Sequence, residues 1–350
     1  MKIFFSVMFL CLAFVIGAVA QSVPKTPLEW MNLAVRQAEK REFDQAIKSA
    51  SECLRLEQNQ GCYLVRAEAY KAKGDLRQAL ADIDTANRIK PGNWAILWTR
   101  GEILRANGSL DAAIADLSRS IELNSGNLKI REVRGDVYFD IYERAQQLDT
   151  AKLDLAIADY THILKIAPKQ HSVLAKRGRA NLLLAGYDEE FFEKALSDLD
   201  EAIKLEPKAA EYRNWRGQAH FGMKNDSLAI DDATAAIALN PRYSDAYTQR
   251  AKYNCSLKKI SVCFADHTRA VELAPASAKP YFGRGQSYSD VRDHESAVKD
   301  FTKAIELEPK NPLYYASRAS AYCSLGKKDL AKADEQTYQK LGGMYLWPCR

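Results

Sequence analysis

A stretch of thirteen residues comes back along this chain at a fixed interval, and that interval limits the fold more than any other feature. Ala297-Val298-Lys299-Asp300-Phe301-Thr302-Lys303-Ala304-Ile305-Glu306-Leu307-Glu308-Pro309 recurs as residues 229–241, 195–207 and 79–91. Looser copies begin at Ala46, Ala113, Ala156, Cys263 and Ala331. Upstream of each copy lies a second helical phrase with a small residue at one place: Ala34, Ala67, Gly101, Gly135, Gly178, Gly217, Ala251, Gly285 and Ala319. Without insertions the period is 34 residues, as from Gly217 to Ala251 to Gly285 to Ala319. A repeat of that size is a unit that cannot bury its apolar face alone and must stack on its neighbours.

The pattern predicts a pair of helices per repeat. A small residue midway along the first helix faces a small residue in the second, so the two backbones approach closely and run antiparallel. Pro91, Pro168, Pro207, Pro241, Pro275 and Pro309 close their second helices, because proline cannot donate the next backbone bond. Aromatic and aliphatic residues at helical spacing fill the rest of the contact face.

This skeleton resembles the tetratricopeptide repeat family over residues 27–341. The resemblance implies an all-α fold, a right-handed superhelical solenoid of antiparallel helix pairs with a concave inner groove. The expected repeats are 27–59, 60–93, 94–127, 128–170, 171–209, 210–243, 244–277, 278–311 and 312–341, followed by a tail at 342–350. The fourth repeat carries extra residues around Glu143-Arg144-Ala145-Gln146-Gln147, and the fifth around Gly186-Tyr187-Asp188-Glu189-Glu190. Both insertions fall between the paired helices and should lengthen helix ends or loops on one edge. Gln58 and Ser125 stand where the first and third repeats would have their proline, and Tyr338 replaces a small residue in the ninth.

A charged pattern overlies the skeleton. Arg66, Arg100, Arg134, Arg177, Arg216, Arg250, Arg284 and Arg318 precede the small residue of their first helix. Asp82, Asp116, Asp159, Asp198, Asp232, Asp266, Asp300 and Asp334 lie three residues after the small residue that opens the second. The first repeat has neither, with Leu33 and Ser49 instead. Pairing within a repeat leaves no orphan, whereas pairing to the next repeat would strand Arg66 and Asp334. Intra-repeat ion pairs that set helix register are therefore expected.

The N-terminus differs in kind. Lys2 is followed by an uncharged apolar run to Ala18-Val19-Ala20, which reads as a secretory signal peptide over 1–20, with a short linker at 21–26. An uncleaved anchor is the alternative for a run of that length. No later stretch is apolar enough to cross a membrane. The destination expected from this leader is secreted or periplasmic. Cleavage leaves Cys53, Cys62, Cys255, Cys263, Cys323 and Cys349, an even number that invites disulfides in an exported chain. On the repeat frame the near-neighbour pairs are 53–62, 323–349 and 255–263, although Cys255 also stands where it could point into the groove. Asn107, Asn225 and Asn254 head glycosylation sequons, relevant to a eukaryotic source.

The formal net charge is +5, with both signs mixed along the chain, which argues against nucleic acid as a partner. His162, His171, His220, His267 and His294 show no metal-ligand spacing, and Gly283-Arg284-Gly285 lies inside a helix rather than after a strand. No catalytic, cofactor or metal site is expected. The family resemblance implies a groove lined by one face of the first helices: Trp98, Glu102, Arg105, Glu132, Asp136, Phe139, Arg179, Asn214, Gln218, Phe221, Lys252, Phe282 and Gln286. The lysine and asparagine clamp that some members use for an acidic C-terminus has no clear match. The expected function is an exported adaptor holding a peptide or helix of another protein. A structural part of an envelope assembly is the alternative, and a regulatory enzyme subunit a further one.

Overall fold

The computed structural model describes residues 24–144, 150–186, 188–343 and 349. The leader, the middle of the fourth-repeat insertion, Tyr187 and the tail segment Met344 to Trp347 lie outside them. Among the described residues there are eighteen α-helices and no strand. They are α1 (Pro27–Glu39), α2 (Phe43–Leu56), α3 (Gln60–Lys73), α4 (Leu76–Ile89), α5 (Trp94–Asn107), α6 (Leu110–Leu123), α7 (Leu128–Arg144), α8 (Thr150–Ile166) and α9 (His171–Leu184). The second half holds α10 (Glu189–Leu205), α11 (Ala210–Gly222), α12 (Asp226–Leu239), α13 (Ser244–Ser256), α14 (Ile260–Leu273), α15 (Ala278–Asp290), α16 (His294–Leu307), α17 (Pro312–Ser324) and α18 (Lys328–Lys340). The chain divides into two compact units, residues 1–141 and 142–350.

In the first unit α1 packs on α2, α3 on α4 and α5 on α6; in the second, α9 on α10, α11 on α12, α13 on α14, α15 on α16 and α17 on α18. Each pair also touches the next in its unit, so the core is a string of local clusters. One cluster joins Ala67, Ala79, Ile83, Ala86, Ile96 and Ile103 across α3, α4 and α5. Another joins Leu117, Ile121, Ile130 and Val137 across α6 and α7. The close approach inside each pair is where the small residues sit. Ala46, Ala79, Ala113, Ala156, Ala195, Ala229, Cys263, Ala297 and Ala331 are all fully buried. A β-carbon added to Gly217 would lie 3.1 Å from the carbonyl oxygen of Ala229 and 3.3 Å from the β-carbon of Asp232, so that seam has no room for a larger side chain.

Local chemistry sets the helix ends. Asn59, Asn93 and Asn311 accept bonds from backbone N–H groups at the starts of α3, α5 and α17. Gly74 and Gly108 close α3 and α5 in the left-handed conformation at φ 85°. The inserted residues extend helices: α7, α8 and α10 each run to 17 residues, against 13 or 14 in their neighbours.

The arginines and aspartates meet inside their own helix pairs. The shortest N···O distances are 2.7 Å for Arg66–Asp82, 2.6 Å for Arg100–Asp116, 2.7 Å for Arg177–Asp198 and 2.6 Å for Arg216–Asp232. They are 2.8 Å for Arg250–Asp266 and 2.7 Å for both Arg284–Asp300 and Arg318–Asp334. Nε and Nη2 bind the two carboxylate oxygens, a bidentate fork in which the aspartate's hydrogen bonds raise each arginine above its ordinary pKa. Arg134 and Asp159 fall in different units; Asp159 is buried on α8.

The third donor of the guanidinium does something the sequence pattern had not suggested. Nη1 reaches back to the second helix of the preceding pair: Arg66 to Ser51 at 3.0 Å, Arg100 to Asp84 at 3.2 Å, Arg134 to Ser118 at 3.0 Å and Arg177 to Thr161 at 3.2 Å. The series continues with Arg216 to Asp200 at 2.7 Å, Arg250 to Thr234 at 3.3 Å and Arg318 to Thr302 at 2.9 Å. In the first pair the missing ions are replaced by a neutral bond, from Ser49 Oγ to Gln37 Oε1 at 2.7 Å. Two substitutions separate the tasks of this guanidinium. Asp334→Ala strands the Arg318 guanidinium and should cost about 2–4 kcal/mol, while Thr302→Ala removes only the link between pairs and should cost about 1 kcal/mol. Urea unfolding with hydrogen exchange over α17 would measure both.

A candidate partner-binding groove

In the second unit the first helices of successive pairs present one face to a shared concavity of about 660 Å³. Arg179 and Leu182 of α9, Asn214 and Gln218 of α11, Thr248 and Lys252 of α13, and Phe282 and Gln286 of α15 line it. Of the sequence-predicted groove residues in this unit, Phe221 alone is not on that wall. It stacks on Tyr253 at 4.7 Å, with Lys252 Nζ 5.0 Å from its ring centre.

Carboxamides dominate the middle of the concavity: Asn214, Gln218, Gln249 and Gln286. Asn214 is 2% exposed; its Nδ2 donates to the Tyr243 hydroxyl at 3.4 Å, and its buried Oδ1 has no hydrogen-bond donor. Trp215 and Phe282 give apolar surface, and Arg179 lies 5.3 Å from the Trp215 ring centre. Charges sit toward the two ends of the helices: Asp245 and Lys279 near the starts of α13 and α15, Lys252 and Asp290 near their ends. Burial pulls the Lys252 ammonium below an ordinary lysine, against the pull of Asp290. His267 forms part of the wall, its Nε2 2.8 Å from Ser287 Oγ. Burial, with Arg284 adding to it, pushes that imidazole down to about 4.

The first unit uses the same register differently. Lys71 of α3 bonds Glu102 of α5 at 2.7 Å, and Arg105 of α5 bonds Asp140 at 2.6 Å and Asp136 at 3.2 Å on α7. Glu102, Arg105 and Asp136 therefore tie neighbouring helices together. Glu132 and Phe139 are buried, Glu132 with Lys129 at 2.7 Å. Trp98 packs on the α5–α7 core, stacked 6.2 Å from Trp94, with its indole nitrogen buried. Their placement follows from the wide stripe that each first helix buries against its neighbour. Glu68 stands at the start of this ladder, where Ala38 occupies the slot a base would need. Burial lifts its carboxyl to about 7, Lys71 opposing and the nearby Glu102 carboxylate adding to the rise.

Three disulfides are present. Cys53–Cys62 joins α2 to α3 (Cα–Cα 6.2 Å), Cys255–Cys263 joins α13 to α14 (5.3 Å), and Cys323–Cys349 ties the tail to α17 (5.2 Å). Of the sequon asparagines, Asn107 and Asn225 are exposed; Asn254 is buried, its Nδ2 donating to Arg250 O at 3.0 Å. No group of side chains suited to a metal ion occurs among the described residues.

Sequence reasoning missed Gln249, Trp215, Lys279, Asp245 and Asp290. A single line at i, i+4, i+7 tracks only one row, whereas a groove wall takes in the neighbouring positions at i+1 and i+3 as well.

Antiparallel helix pairs stacked on a 34-residue period, with a concavity built from their first helices, define a helical repeat scaffold. Tetratricopeptide repeat patterns match residues 64–127 and 181–244, and again 278–311. The chain belongs to the tetratricopeptide repeat family, whose members bind other proteins and are in general scaffolds rather than enzymes. A tetratricopeptide repeat protein from Parabacteroides merdae superposes with a TM-score of 0.64 at 21% identity, covering 79% of this chain and 99% of that one. A monomeric mutant of IFIT1 with m7Gppp-AAAA superposes at 0.56 and 16% identity, covering 83% of this chain and 70% of that one. At such identities these likenesses speak to the fold alone. No curated protein matches by sequence.

Glu68 and His267 give opposite pH responses. Glu68 has a folded-state pKa above that of an unfolded glutamate, so the first unit should lose stability as pH rises from 4.5 through about 7. Glu68→Gln should abolish that loss, read from urea midpoints across the interval. His267 lies below its unfolded value, so the second unit should lose stability as pH falls from 6.5 through about 4. An NMR titration in which His267 protonates near 6.5 in the folded protein would overturn the second expectation.

Proposed function

We propose that this protein is an exported scaffold that holds an extended segment of another protein in the concavity of the second unit. The row of carboxamides at Asn214, Gln218, Gln249 and Gln286 carries this reading. A carboxamide offers both a donor and an acceptor, the same two functions that each residue of an extended peptide presents. The Asn214 Oδ1, buried without a donor, is the kind of group that an incoming N–H would satisfy. Phe282 and Trp215 supply apolar anchorage beside them. Export rests on the apolar leader over 1–20 and on cysteines placed for three bridges, bonds that persist in oxidising compartments.

Two measurements test the parts separately. A photo-crosslinker at Gln249 should capture a bound protein segment, and Phe282→Ala with Gln218→Ala should weaken its binding at least about tenfold. Undiminished binding by that double variant would move the site away from the concavity. For export, the mature chain should begin at Gln21 and resist thiol alkylation at all six cysteines until reduced. A chain that keeps residues 1–20 and reacts fully without reductant would sink that part.

A further inference from the structure

Two features set the turn between α13 and α14 apart from its counterparts, a disulfide and the lack of any acid. It alone among the turns inside a helix pair is closed by a disulfide, Cys255–Cys263, among the described residues. From Lys252 to Ala265 it contains no carboxylate, whereas the corresponding stretches carry Asp75, Asp111, Asp226, Asp293 or Asp329. Helix α14 starts from Lys259 with no side-chain cap bond and no acid in its first turn. Two lysines, 258 and 259, thus stand at the positive end of a helix, where a cation is disfavoured. Lys258 holds the left-handed conformation at φ 61°, as do Arg41, Lys224 and Arg292 in other turns of this kind. Leu257, Ile260 and Val262 are 41%, 38% and 46% exposed.

Cations at that helix end and apolar side chains in water both work against stability, and the disulfide holds the turn in place against them. Local choices that conflict with the fold in this way are expected where a surface is kept for a partner. The flanking pairs extend the pattern. Since α13 packs on both α11 and α15, the adjacent turns lie beside it, and each presents an apolar residue followed by a left-handed base: Met223-Lys224 (φ 61°) and Val291-Arg292 (φ 65°).

We propose that this edge of the second unit docks on an anionic lipid bilayer. Leu257, Ile260 and Val262 would enter the boundary between headgroups and acyl chains, while Lys258 and Lys259 meet the lipid phosphates. The apolar groups stand on a projecting turn rather than in a pocket, so an anchor from a folded partner has no recess to fill. A fluid bilayer needs none, and the bases of the α13–α14 turn, which no acid of that turn offsets, match its charge, whereas Asp226 and Asp293 beside Lys224 and Arg292 confine the unopposed charge to the central turn. The surface is peripheral: no helix among the described residues is long and apolar enough to cross a membrane. This inference does not depend on the groove.

Co-sedimentation of the oxidised full chain with phosphatidylglycerol–phosphatidylcholine vesicles tests it, with pure phosphatidylcholine vesicles as the comparison. The anionic vesicles should retain the protein, and raising salt to about 0.5 M should release much of it. Lys258→Glu with Lys259→Glu should weaken retention at least about tenfold. Ile260→Ser, a separate variant, should weaken it several-fold, with the 255–263 disulfide checked by mass and helicity by circular dichroism. No retention of the unmodified chain, or unchanged retention of the lysine variant, overturns the proposal. So does loss on lysine reversal with none on Ile260→Ser, which would mean contact with charge alone. Binding to soluble polyglutamate but not to vesicles would assign the edge to an acidic protein instead.

Discussion

A guanidinium presents five N–H donors in one rigid plane, and the helix stack depends on how those donors are shared. Two are committed to an aspartate across the seam of the same helix pair, which fixes the angle and register of that pair. A third reaches the second helix of the pair before it, as in Arg216 with Asp232 on one side and Asp200 on the other. One side chain therefore sets both geometries that a repeat protein must control, the shape of the unit and the step to its neighbour. The fully buried alanines opposite make this possible, because the arginine can span three helices only where the backbones come close.

Much of this was legible in the chain, since the period, the small residues and the prolines each state a local physical requirement. The arginine and aspartate positions pointed to pairs inside repeats because the first repeat lacks both. The link between repeats was written there too. Two residues past each aspartate stands Asp84, Ser118, Thr161, Asp200, Thr234, Thr268 or Thr302, and past Ser49 stands Ser51; all but Thr268, whose hydroxyl donates to Phe264 O, accept from the arginine of the next repeat. The ninth repeat has Gln336 at that place. Such a signal emerges only when neighbouring repeats are aligned against one another.

The groove was less legible because it depends on which side of a helix stripe remains open. Glu102, Arg105 and Asp136 read as candidate contacts by position, yet ion pairs from helix to helix engage them. Gln218, Lys252 and Gln286 occupy the same register in the second unit with no such ladder joining them to one another. Periodicity fixes the face, but the identity of the residue on the next helix decides whether that face is closed on itself. The two units thus share one architecture and differ in the chemistry of their first helices.

End repeats of a stacked protein have a neighbour on one side only and are the first to fray. Here the bond between Cys53 and Cys62 crosses from the first pair into the second, closing a loop of sequence separation 9. A chain pulled from its N-terminus can unravel α1 and most of α2, and the load then leaves Cys53 through sulfur and enters α3 at Cys62. The end of α2 and the turn that follows it carry none of that load. The junction between the first two pairs therefore stays closed even after the first pair has come apart.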